Sequence, residues 1–207
     1  MNQNFRTEQE VFWAGDFGAD YSARNVDPHL LASNTALFAR VLSSVDRVSS
    51  VIEFGANIGL NLIAIRSLLP HVSLRAIEIN PHAAAQLKQT IGPENVVEGS
   101  ILDAATDQTA DLVLVKGVLI HINPDVLEAV YDKLYWSSTK YIMVCEYYNP
   151  TPISVAYRGF ENKLFKRDFA GEMLNRFSGL KLVDYGFVYR HDLNFPLDDV
   201  TWFLLKK

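Results

Sequence analysis

Val51-Ile52-Glu53-Phe54-Gly55-Ala56-Asn57-Ile58-Gly59-Leu60-Asn61 is the stretch whose reading decides the fold. It begins as a β-rich run, turns through two glycines four residues apart, and continues into a helical pattern. Gly55 and Gly59 let the backbone pass close to a ligand where a Cβ would intrude. A nicotinamide-binding turn follows the pattern G-x-G-x-x-G, and Ala56, Asn57 and Ile58 supply no second glycine for it.

Outward from this turn, strand and helix patterns alternate. Upstream, residues 27–45 read as a helix, with Asp27 as its cap, Pro28 in its first turn and Leu30, Leu31, Leu37, Phe38 and Val41 as its apolar stripe. Downstream come strand 74–79, helix 81–91, strand 95–98, strand 111–116, helix 124–137 and strand 140–147. The unbroken apolar run Leu112-Val113-Leu114-Val115 suits a strand covered on both faces, as in a parallel sheet flanked by helices. The ending breaks this rhythm: a helix near 167–177 leads to strands 180–189 and 200–206 with no helix between them, which predicts an antiparallel pair at the sheet edge. The fold expected is α/β and Rossmann-like: a mostly parallel seven-stranded sheet with a C-terminal antiparallel pair and helices on both faces. One domain over 1–207 is expected, divided into an N-terminal helical lid (1–45), a ligand-binding core (46–147), an insertion (148–165) and a C-terminal helix with two strands (166–207).

The bulk properties narrow the partners. Hydrophobic residues make up 49% of the 207 and charged residues 21%, as in a folded globular chain. A formal net charge of −5 argues against a broad nucleic-acid footprint and mildly for a small-molecule acceptor. Cys145 is the sole cysteine, so no intramolecular disulfide forms. Met1–Glu10 lacks the apolar core of a signal peptide and no apolar run spans a bilayer; the cytoplasm, without a membrane partner, is the expectation. No His/carboxylate cluster suggests a metal.

The glycine spacing resembles the E-x-G-x-x-x-G turn of S-adenosylmethionine enzymes, with Glu53 facing the amino acid end of the cofactor and Gly55, Ala56, Asn57 and Gly59 forming its cradle. Glu78 ends the second strand, with Ile79 beside it, where a carboxylate accepts from both ribose hydroxyls. Ser100 and Ile101 follow the third strand on the adenine side, with Asp103 as an alternative polar partner. Lys116 and Gly117 end the fourth strand, beside the transferable methyl. His121 is either a general base or the residue that fixes the Asn123-Pro124 turn. Glu146 either orients a polar acceptor or is a buried, satisfied carboxylate. Tyr147, Tyr157 and Arg158 are candidates for the acceptor, Arg158 as a bidentate partner for carboxylate or phosphate or else as an ordinary surface arginine. Trp13, Phe17 and Tyr21 read as an aromatic lid over the cofactor, or as core filling.

Several longer blocks resemble the pseudaminic acid biosynthesis-associated methylases, a subgroup of the class I S-adenosylmethionine-dependent methyltransferases. They are Phe12-Trp13-Ala14-Gly15-Asp16-Phe17-Gly18, Lys116 through Pro124, Glu146-Tyr147-Tyr148-Asn149-Pro150, Lys163 through Glu172, and Asp199-Val200-Thr201-Trp202-Phe203. The resemblance implies the class I methyltransferase fold, S-adenosylmethionine as cofactor, and methyl transfer to a hydroxyl or amine of a sugar or nucleotide sugar in nonulosonic acid or surface glycan synthesis. The alternative is a non-catalytic cofactor-binding partner of a glycan-assembly complex.

Overall fold

The computed structural model describes residues 5–24 and 27–207. Three helices come first: α1 (Glu8–Ala14), α2 (Asp16–Arg24) and α3 (Pro28–Leu42). Thr7 and Glu10 form a reciprocal capping box on α1, and Asp27 caps α3 by accepting from the His29 N–H. Then follow β1 (Ser50–Phe54), α4 (Leu60–Leu68), β2 (Ser73–Glu78), α5 (Pro81–Ile91), β3 (Val96–Glu98) and β4 (Ala110–Lys116). The chain continues through α6 (Leu127–Ser137), β5 (Ser138–Glu146), β6 (Ile153–Tyr157), β7 (Phe160–Lys166), α7 (Phe169–Arg176), β8 (Lys181–Val188) and β9 (Val200–Lys206).

Seven strands form one sheet in the order β3-β2-β1-β4-β5-β9-β8, parallel as far as β5, with β9 and β8 antiparallel. The expected edge pair is present. The strand order reverses between β1 and β4, the switch point where open α/β sheets leave a crevice beyond the strand carboxyl ends. Alternation along β4 divides the core: Leu112 and Leu114 pack with α3 and α4, whereas Val113 and Val115 face α6 and α7. All four are fully buried, which accounts for the unbroken apolar run.

Two departures matter for the site. The helix expected from residue 124 starts at Leu127, because Pro124–Val126 forms a tighter 3₁₀ turn capped by Asn123. The insertion after β5 is a β-hairpin of β6 and β7, separate from the main sheet. Tyr157 pairs with Phe160 across a two-residue loop in which Arg158 (φ 50°) and Gly159 (φ 87°) are both left-handed. That is the requirement of a type I′ turn.

Candidate functional site

A cavity of about 420 Å³ opens at the switch point, within the range of ligand sites. Its floor is the β1–α4 turn. Gly55 has φ 76°, and a Cβ there would lie 2.6 Å from Val118 Cγ2, so glycine is demanded by conformation and by space. The Asn57 N–H donates to Glu78 Oε2 at 2.6 Å, and the Asn80 N–H donates to Glu78 Oε1 at 2.7 Å. Two backbone donors thus pin a buried carboxylate at the end of β2. Burial pushes the Glu78 pKa up while these donors oppose the shift.

Of the residues anticipated for cofactor binding, Gly55, Ala56, Asn57, Glu78 and Ile79 line the cavity on one side. Trp13, Tyr21, Ser100, Ile101, Lys116 and Gly117 line it as well. Two do not. Glu53 lies behind Asn61: the Asn61 amide donates to Glu53 Oε1 at 2.6 Å, and Asn61 lines the wall in its place. Gly59 packs a turn away, where a Cβ would meet Leu87 Cδ1 at 2.7 Å, so its role is in helix packing. Glu53 is fully buried, and burial raises its pKa to about 8.

Ser100 also differs from expectation. Its hydroxyl donates to Glu10 Oε1 and accepts from the Leu102 N–H, so its proton is committed to α1. The other oxygen of Glu10 accepts from the Thr7 N–H at 2.8 Å. One carboxylate therefore caps α1 and ties it to the loop after β3. The far side of α1 grips the hairpin: Lys163 pairs with Glu8 at 2.9 Å, and the Gln9 amide donates to the Asn162 carbonyl at 2.9 Å. Asn80 completes the docking, donating to the carbonyls of Trp13 and Gly15 while its Oδ1 caps α5.

His121 sits under α1 and the hairpin, its ring 4.5 Å from Trp13 and 4.9 Å from Tyr157. Nδ1 lies 2.6 Å from the Lys163 carbonyl oxygen, which only accepts, so Nδ1 carries the proton and Nε2 keeps its lone pair. Burial lowers the His121 pKa to about 4, so the ring is neutral at pH 7. Glu146 ends β5 with Oε1 accepting from the N–H groups of Val118 and Leu119, both at 2.9 Å. It thereby shapes the loop that carries His121. Its Oε2 is buried without a partner among the described residues, and burial raises its pKa to about 7.

Lys116 lines the same space without an ion pair among the described residues, close enough to Glu53 and Glu146 to lower the pKa of both. Tyr147 and Tyr157 line the cavity, and Arg158 lines it from the exposed hairpin tip. Phe17 lies behind the wall, stacked on Phe12 at 4.2 Å.

Sequence reasoning missed Glu10, Ser22, Asn34, Asn61 and Asn80. The capping-box spacing Thr7-x-x-Glu10 was a usable signal for α1. Asn80 before Pro81 was one for α5. Nothing local pointed to Ser22, whose hydroxyl donates to Asn57 Oδ1 at 2.6 Å, or to Asn34, whose Oδ1 is buried without a partner among the described residues.

No family model matches the chain, and no curated protein matches it. Solved structures do. An N1-methyltransferase of 1,6-didemethyltoxoflavin from Burkholderia thailandensis, with that compound and S-adenosylhomocysteine bound, superposes with a TM-score of 0.71 at 16% identity, covering 100% of this chain and 93% of that one. An N-methyltransferase from Bradyrhizobium japonicum in complex with S-adenosylhomocysteine gives 0.65 at 17% identity, with 96% of each chain covered. The magnesium protoporphyrin IX methyltransferase of Synechocystis with S-adenosylmethionine bound gives 0.65 at 12% identity, covering 99% of this chain and 100% of that one. Together with the strand order and the antiparallel edge pair, these superpositions give the chain the Rossmann-like fold of class I S-adenosylmethionine-dependent methyltransferases.

Proposed function

We propose that this protein is an S-adenosylmethionine-dependent methyltransferase acting on a small-molecule acceptor. The observation that carries this reading is Glu78: a buried carboxylate, pinned by two backbone donors beside the glycine turn, with lone pairs left for a diol. The cavity also fits a ligand richer in polar groups than an empty pocket tolerates. Trp13, Asn34, Asn61 and Glu146 line it, and Trp13 Nε1, Asn34 Oδ1, Asn61 Oδ1 and Glu146 Oε2 are buried without protein partners among the described residues. Each such group costs about 1–3 kcal/mol if nothing pairs with it.

When bound, S-adenosylmethionine supplies a methyl group activated by sulfonium. Glu78 holds the ribose. Asn61, fixed by Glu53, and Lys116 meet the ammonium and carboxylate of the methionine moiety. Ile101 packs the adenine. Trp13 and Tyr21, on α1 and α2, close the site from water. The acceptor lies towards His121, Tyr147, Tyr157 and Arg158. His121 Nε2 takes its proton late, when the new bond to carbon has made the acceptor strongly acidic, so a weak base suffices. Glu146 Oε2 orients a polar group of the acceptor.

The acceptor is a hydroxyl or amine of a sugar or nucleotide sugar in nonulosonic acid or surface glycan synthesis. The blocks from Phe12 to Gly18 and from Lys116 to Pro124, which resemble the pseudaminic acid biosynthesis-associated methylases, support this, since Trp13 and His121 within them line the cavity. Calorimetric titration with S-adenosylhomocysteine, on wild type and Glu78→Ala, tests the cofactor assignment. Binding that the substitution abolishes is expected; no binding by the wild type overturns it. Screening methyl transfer to nucleotide sugars then tests the acceptor.

A further inference from the structure

The strand order sets the direction of a cofactor held at Glu78. β2 lies between β3 on one side and β1 on the other, with β4 beyond β1. Asn61, in the first turn of α4, and Lys116, at the end of β4, line the cavity on the β1 side. A ligand that gives its diol to Glu78 and its methionine moiety to those two residues sends its base the opposite way, over the loop after β3. That loop starts beside Glu78, where the Gly99 N–H donates to the Glu78 carbonyl at 2.9 Å.

Ile79, Ile101 and Leu102 supply apolar wall to this part of the cavity, and the start of α1 supplies Thr7 and Glu10. The polar groups expected here from the sequence are already engaged. The Ser100 hydroxyl donates to Glu10 Oε1 and accepts from the Leu102 N–H. Asp103 is paired with Arg6 and lies outside the cavity lining. Asn123 accepts from the Asp125 N–H through Oδ1.

Glu10 has capacity left. Its Oε2 accepts from the N–H groups of Arg6 and Thr7, both at 2.8 Å, whereas its Oε1 accepts only from Ser100 among the described residues. A carboxylate oxygen has two acceptor sites, so one on Oε1 stays open on a residue that is buried yet lines the cavity.

We propose that Glu10 Oε1 accepts from the exocyclic amino group of the adenine, and that Glu10 thereby makes the site specific for an adenosyl cofactor. The inference rests on S-adenosylmethionine being the cofactor. An amino group donates to the carboxylate, whereas a 6-oxo base sets oxygen against oxygen and leaves the buried acceptor unpaired. The same carboxylate closes the capping box of α1, so the base and the N-terminal helix share one anchor.

Calorimetric titration of wild type and Glu10→Gln tests this with S-adenosylhomocysteine and with S-inosylhomocysteine, in which oxygen replaces the amino group. Gln serves a capping box as Glu does, and it offers an N–H to the 6-oxo base. The wild type should prefer the adenosyl ligand by about 10- to 100-fold, the range of a hydrogen bond to a charged group. The variant should lose most of that preference with unchanged circular dichroism. A Glu10 that only caps α1 would weaken both ligands alike, so a preference that survives the substitution overturns the proposal. Equal binding of the two ligands by the wild type overturns it as well. A wild type that binds neither overturns the cofactor assignment and this inference with it. Should the variant misfold, amide exchange of wild-type α1 at ligand saturation decides. Stronger protection with the adenosyl than with the inosyl ligand supports the contact, and equal protection refutes it.

Discussion

The two ends of the cavity are built from different materials. At the end proposed for the cofactor, the wall is built from backbone: a turn of left-handed residues and a carboxylate held by two main-chain N–H groups, all at the ends of central parallel strands. At the end proposed for the acceptor it is built from side chains of three separate elements, with Trp13 from α1, His121 from the loop after β4 and Tyr157 from the hairpin in mutual contact. A backbone site is rigid and tolerates change poorly, whereas a site of packed rings depends on whether its elements stay docked.

That contrast can be broken or sharpened by substitution. The largest effect is expected from Glu78→Ala, which removes the paired acceptor and leaves two buried N–H groups unsatisfied. S-adenosylhomocysteine affinity should fall by about 100-fold or more by calorimetry, the worth of two charge-assisted hydrogen bonds. Retained affinity would remove Glu78 from the cofactor end. His121→Gln, at the other end, should lower turnover by roughly 10- to 100-fold while leaving that affinity intact. A parallel loss of both would mean that His121 is a packing residue for the whole cavity.

The same histidine carries a pH signature. Its folded pKa of about 4 lies below the ordinary 6.5, so the unfolded chain binds the extra proton between those values. His121 therefore contributes stability that is fully present above pH 6.5 and lost as the pH falls towards 4. The shift amounts to roughly 3 kcal/mol. Glu146 and Glu53 act with the opposite sign: their raised pKa values, about 7 and about 8, make stability fall as pH rises from 4.5 towards those values. Thermal unfolding of wild type and His121→Gln across pH 4–7 isolates the histidine, and the variant should lose less on acidification. Equal losses would contradict the buried neutral ring.

Gly55→Ala should cost about 1–3 kcal/mol, since the methyl group is forced against Val118 at a left-handed backbone position. Chemical denaturation reads this directly. The smallest effect is expected from Arg158→Gly. Relieving a left-handed arginine in the type I′ turn should stabilise the hairpin by about 0.5–1 kcal/mol, while KM for an anionic acceptor rises. A KM that does not move would make Arg158 a turn residue alone.

Much of this protein was legible in its chain. The alternation of strand and helix, the glycine turn and the acid ending β2 rest on local chemistry: period, left-handed glycines, caps and unbroken apolar runs. The parallel core and its antiparallel edge followed from them. The hairpin escaped because its turn carries Arg158 where Asn or Asp is usual, so only Gly159 marks a positive φ locally.

What tertiary structure alone decided is which polar groups are spent and which remain available. Glu53 gave way to Asn61 at the cavity wall, and the Ser100 hydroxyl went to Glu10, 90 residues away in the chain. The tautomer of His121 was set by the carbonyl of Lys163, 42 residues on. A sequence shows donors and acceptors one at a time; only packing brings distant ones within hydrogen-bond reach, and the cost of burying an unpaired group then selects the partners.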